Sequence, residues 1–113
     1  MLKIVLGLIA VGSLWSTPAA AQNLTIDKLL GRWCGTESDY TFTRDRLIVE
    51  FPDKGPSRTL EIARVETSNT WIDVYWKPSG NTVFTDFSAD GREMAQAQNT
   101  EGDMGPRRPF KRC

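Results

Sequence analysis

The sequence predicts an all-β fold: a small antiparallel meander closed into a barrel, with a short N-terminal helical turn and one disulfide. Three observations lead there. Apolar residues alternate with polar ones in short stretches separated by turn chemistry, the pattern of half-buried strands. Two cysteines are present, Cys34 near the start of the patterned region and Cys113 at the last position. The chain also opens with an export-type segment, which places both thiols in an oxidising compartment.

That segment has Lys3 followed by an apolar run from Ile4 to Trp15, too short for a permanent span. Ala19 and Ala21 form an A-x-A site, so cleavage is expected after Ala21, leaving one domain of 92 residues (113 less 21). No second hydrophobic segment follows, so no permanent membrane span is expected after cleavage, and the product is periplasmic or secreted. Residues 22–30 read as a helical turn with Thr25 as N-cap and Leu29 and Leu30 as its apolar side, stopped by Gly31. Tyr40 and Phe42 begin the period of two, and Leu47, Val49 and Phe51 continue it up to a turn at 52–56.

Further strands are expected at 57–67, 70–77, 81–88 and 92–98, with turns at Ser68-Asn69, 78–81 and 88–91. Asp90-Gly91 fits a type I turn with the glycine left-handed. Residues 99–109, rich in glycine and proline, read as a loop leading into a short final strand. A meander must hide its edges, and closing into a barrel does so by bringing the last strand beside the first. A Cys34–Cys113 disulfide would then be the seam, removing about 4.5 kcal/mol of unfolded-chain entropy in the loop-closure treatment.

The chain carries 14 basic and 14 acidic residues and no histidine; losing Lys3 leaves a net charge of −1. That balance gives no general attraction to nucleic acid or anionic membrane. Arg107, Arg108, Lys111 and Arg112 crowd the C-terminus, either as a solvated strand end or as an anion-binding patch. Without histidine there is no Ser-His-Asp or Cys-His arrangement. Residues 102–105 lack the Lys-Ser/Thr ending of a phosphate loop, and two cysteines alone do not complete a zinc site. No metal, no cofactor and no enzymatic activity are expected.

Gly31-Arg32-Trp33 after a short helical turn, then a meander with a basic residue near its end, resembles the calycin group, which includes the lipocalins. The resemblance implies that Trp33 plugs one end of the barrel. It also implies that Arg112, or failing that Arg108, stacks over the indole, a contact of about 0.5–2 kcal/mol. Small exported proteins of this architecture include bacterial protease inhibitors.

A two-residue Ser79-Gly80 hairpin would set Asp73 opposite Asp86, and a Ser68-Asn69 turn would set Arg64 opposite Asp73. The row Arg64, Asp73, Asp86 is then either an outward-facing ion-pair row or a polar site inside the barrel flanked by Trp71, Tyr75 and Phe84. In the first case Ile72, Val74, Trp76, Val83, Thr85 and Phe87 face inward. The candidate ligand-binding residues are therefore Arg64, Trp71, Asp73, Tyr75, Phe84 and Asp86. The function expected is that of an exported barrel binding a small apolar molecule or lipid. The alternative is a protein-interaction module, a protease inhibitor or envelope-complex accessory, acting on an envelope protein through the 99–108 loop.

Overall fold

The computed structural model describes residues 22–100 and 103–113, with side chains from 22–97 and 106–113. The expected leader and its cleavage point after Ala21 lie outside the described residues. A 3-10 turn at Ile26–Lys28 precedes eight strands: β1 Gly31–Cys34, β2 Asp39–Phe42, β3 Arg46–Phe51 and β4 Gly55–Thr67, then β5 Ile72–Trp76, β6 Asn81–Thr85, β7 Glu93–Thr100 and β8 Asp103–Arg112. Each strand pairs antiparallel with its sequence neighbour, and β8 returns to β1, closing the barrel. Thr25 stands at the head of the turn in extended conformation, but its hydroxyl makes no cap; Lys28 N–H donates to the Thr25 carbonyl instead, 3.0 Å away.

Alternation decides which side chains enter the barrel. Trp33, Phe42, Leu47, Ile72, Val74, Phe84, Met94 and Phe110 are buried and belong to one core cluster. The registers carry this face from strand to strand: Trp33 opposite Tyr40, Phe42 opposite Leu47, Val65 opposite Val74, Ile72 opposite Phe84, Met94 opposite Phe110. A register shift between Ile62 and Arg64 lets both Ile62 and Val65 face inward, because one extra residue exchanges the two sides of the strand. Val83, Ala95 and Ala97 point outward and are buried nonetheless. Val83 and Ala97 stand between Asp73 and Arg107 in a cross-strand row running Glu66, Asp73, Val83, Ala97, Arg107, and Ala95 lies between Thr85 and Pro109 in the next.

Two expected registers are corrected. Ser68 N–H donates to the Trp71 carbonyl, and Ser68 Oγ accepts from the N–H groups of Thr70 and Trp71. The turn therefore spans Ser68 to Trp71, and Asp73 falls opposite Glu66, not Arg64. In the next hairpin Trp76 N–H donates to the Gly80 carbonyl while Lys77 N–H stays bonded to the Glu61 carbonyl of β4, each at 2.9 Å. The loop is longer than two residues, and Asp73 falls opposite Val83, not Asp86.

The 99–109 loop is corrected as well: the segment belongs mostly to β7 and β8. Arg112 N–H points toward the carbonyl of Arg92, just before β7, so by alternation Pro109 turns its missing N–H away from β7. Beyond Lys111 no β1 partner stands on that side among the described residues, and an edge is where proline costs no ladder bond. Pro106 sits where the β7–β8 register shifts between Ala97 and Asn99. Gly91 adopts φ 75°, as the Asp90-Gly91 turn requires.

The seam is short. Among the described residues only Trp33 with Arg112 and Cys34 with Lys111 pair across it, and the Cys34–Cys113 disulfide spans Cα atoms 5.0 Å apart over 79 residues of chain. A Cys34→Ser/Cys113→Ser double variant is expected to lose about 2–5 kcal/mol in urea unfolding, matching the loss when the unaltered protein is reduced.

Candidate functional site

The strands run between two unlike ends. At one end lie the 3-10 turn and the β2–β3, β4–β5 and β6–β7 connections, and this end is plugged. Trp33 is fully buried, and its indole N–H donates to the Leu29 carbonyl at 2.9 Å. The Arg112 guanidinium lies over the same indole, 3.9 Å from the ring centroid, and donates to the carbonyls of Leu30 (2.6 Å) and Lys28 (3.1 Å). Partial burial lowers the Arg112 pKa, with repulsion from Arg92 adding to it. Gly31 makes room for this arrangement: its φ is 103°, and a Cβ there would stand 2.9 Å from Arg112 Nη1. Asp27 to Arg44, at 2.7 Å, and Leu24 N–H to the Ser68 carbonyl, at 2.8 Å, hold the turn against the barrel.

At the other end the barrel is open to a cavity of about 400 Å³. Its floor is apolar, with Leu47, Val49 and Leu60 from β3 and β4 and Trp76 and Phe84 from β5 and β6, while its walls also carry polar side chains, among them Ser38, Asn81, Thr82 and Gln96. Tyr40 lines it from β2, stacked on Phe110 with ring centroids 4.5 Å apart and donating its hydroxyl proton to Gln96 Oε1 at 2.8 Å. Thr82 Oγ1 accepts the Trp76 indole N–H at 2.9 Å. Arg58 and Arg108 stand at the mouth. Arg58 is opposite inward-facing Val49, and Arg108 is opposite Gln96, which continues the row of Phe84. Both arginines therefore occupy lumen-side positions.

Burial holds the Tyr40 pKa above the ordinary phenol value, opposed by the positive field of Arg108 and by hydrogen bonds with Gln96 and Ser38.

The candidate residues read from the sequence do not gather here. Of the six, Phe84 alone lines the cavity. Trp71 precedes β5 and is 37 % exposed. Arg64, Asp73 and Tyr75 lie on the outer face: Arg64 stacks over the Tyr75 ring at 3.8 Å and pairs with Glu66, while Asp73 accepts from Asn81 Nδ2 at 2.8 Å. Next to Asp73, Tyr75 has its pKa raised by hydrogen bonding to that carboxylate and then by desolvation. Asp86, left-handed at φ 57°, is clamped by Arg107 with both oxygens 2.7 Å from Nη1. The inward set is Ile72, Val74 and Trp76 as expected, joined by Thr82 and Phe84 in place of Val83 and Thr85. The two mouth arginines were missed as a pair. Their signal was available in the register, since each interrupts an inward-facing row with a cation.

The C-terminal basic cluster is divided by the same alternation. Arg107 points outward to Asp86, Arg108 to the mouth, and Arg112 into the plug. Among the described residues no group of three His, Cys, Asp or Glu could hold a metal ion, and no helix is long and apolar enough to cross a membrane. No family model, curated protein or solved structure matches the chain.

The raised Tyr40 pKa fixes the sign of a pH effect. The folded state holds the phenol proton more tightly than the unfolded chain, so the contribution is fully present below the unfolded pKa and is lost as pH rises through the folded one. Tyr40→Phe is expected to cost about 1 kcal/mol at neutral pH through loss of the Gln96 bond, and to show a shallower alkaline loss of stability in urea unfolding from neutral to strongly alkaline pH.

Proposed function

We propose that this chain is an exported, calycin-like binding protein that holds a small apolar molecule in its lumen without transforming it. The observation that carries the reading is a barrel plugged at one end and open at the other to a cavity with an apolar floor. Cavities of this size suit small ligands, and polar groups on the wall above an apolar floor suit orientation of a bound molecule. The Trp33–Arg112 contact supports the calycin resemblance. The disulfide agrees with a periplasmic or secreted location reached after cleavage following Ala21.

Native mass spectrometry of protein taken from its own compartment is expected to show the mass of residues 22–113 less two hydrogens, with a retained small molecule. Val49→Trp, which fills the cavity from β3, is expected to abolish retention while leaving the melting temperature within a few degrees. Retention unchanged in that variant places the ligand elsewhere and overturns the reading.

A second reading, contact with an envelope protein through the β7–β8 hairpin, draws on one feature. From Asp103 to Phe110, β8 has a strand partner only in β7 among the described residues, and an unpaired edge can template another strand. Deleting 99–105 is expected to abolish cross-linking to such a partner in intact cells. A correctly folded deletion variant that keeps its cross-links removes this reading.

A further inference from the structure

Alternation fills the inward positions of a small barrel with apolar side chains, and at the open end two of those positions hold Arg58 and Arg108. Their charges are poorly answered. No carboxylate among the described residues lies within ion-pair distance of Arg58. Among the described residues Arg108 meets only Glu37, at 3.4 Å, with both side chains about two-thirds exposed, and such a pair contributes little. Among the described residues, Glu37, Arg58 and Arg108 are the charged ones lining the cavity, an excess of one positive charge.

The polar groups deeper in the wall point the same way. Gln96 uses its Oε1 to accept from Tyr40, and Thr82 uses its Oγ1 to accept from Trp76. The Gln96 amide N–H groups and the Thr82 hydroxyl proton have no acceptor among the described residues. At these two positions the wall thus has donors to offer. The positive field of Arg108 also reaches the Tyr40 hydroxyl inside the barrel, where it works against the effect of burial.

Resting on the lumen-binding reading above, we propose that the ligand is an amphipathic anion: an apolar chain inserted between Val49, Trp76 and Phe84, with a carboxylate or phosphate head held by Arg58 and Arg108. Guanidinium groups match both heads through paired N–H donors. The chain is short. Arg108 and Arg112 are four residues apart on one strand, about 13 Å, and buried Phe110 lies between them.

The test titrates the disulfide-bonded protein with octanoate, octyl phosphate and 1-octanol at neutral pH, reading Trp76 fluorescence and calorimetric heats. At least one of the two anions is expected to bind tenfold or more tighter than the alcohol, and the ratio between them identifies the head group. The Arg58→Gln/Arg108→Gln variant is expected to lose that preference while binding octanol as before. Raising salt from about 0.05 to 0.5 M is expected to weaken anion binding and leave octanol unchanged; this arm needs no variant. Octanol binding as tightly as both anions overturns the inference and leaves the lumen reading standing. Binding of none of the three, in protein shown to be folded and free of retained ligand, overturns both.

Discussion

The contact between Arg112 and Trp33 is the constraint on which the rest of this barrel depends. A guanidinium drawn partly out of water needs compensation, and it finds an indole face on one side and the carbonyls of Lys28 and Leu30 on the other. Those partners belong to β1, to the end of the 3-10 turn and to the short link between them, while Arg112 itself ends β8. One side chain therefore joins the first strand, the last strand and the element that closes the barrel. Gly31 follows from this arrangement, since a side chain there would collide with the guanidinium and force a left-handed backbone on a residue with a Cβ. The disulfide falls beside the same contact, where a covalent link restrains a seam of only two residue pairs.

Fixing that pair fixes the inward face throughout the sheet. With Trp33 opposite Arg112, neighbouring registers place Phe110 and Met94, then Gln96 and Phe84, and finally Ile72 and Val65 on the inner side. A slip of one residue at any hairpin would exchange the two faces of every later strand. Two turns guard against this with specific bonds: Ser68 holds its own turn through backbone and hydroxyl, and Lys77 remains attached to β4 while the chain reverses. The bulge between Ile62 and Arg64 is the deliberate exception, changing which alternate residues of the long β4 face inward without breaking the ladder.

The closed meander, the Cys34–Cys113 link and the Asp90-Gly91 turn were legible in the sequence because each rests on local chemistry or on a pattern of period two, while the Trp33–Arg112 contact was expected only from the calycin resemblance. The site was not legible. Placing Asp73 opposite Asp86 required knowing which residues of 76–81 form the turn, and the bond from Trp76 N–H to the Gly80 carbonyl cannot be read from residue types. An odd change in register then moved Phe84 from the side of Tyr75 to the side of Ile72. The strand at Asp103–Arg112 was hidden by Pro106 and Pro109, whose exclusion from strands assumes that both edges are paired. Among the described residues one edge has no strand partner for most of the length, so the composition that argues against a central strand is compatible with this one.

The same strand shows why net charge misleads about a barrel. Arg107, Arg108, Lys111 and Arg112 read together as a basic tail, and the whole domain then cancels them to about neutral. In the fold, alternate positions have unrelated environments. Arg107 faces outward and is matched by Asp86, with both oxygens at 2.7 Å. Arg108, one residue later, faces the cavity and among the described residues has only a loose, solvated partner. Arg112 is on the same side as Arg108 but at the plugged end, where carbonyl oxygens and an indole face meet its charge. A sum over the sequence averages these sites, whereas a ligand in the lumen meets only the inward ones. Because the plug satisfies Arg112 internally, the unbalanced charge of the inner face is left at the mouth, beside solvent and above an apolar floor.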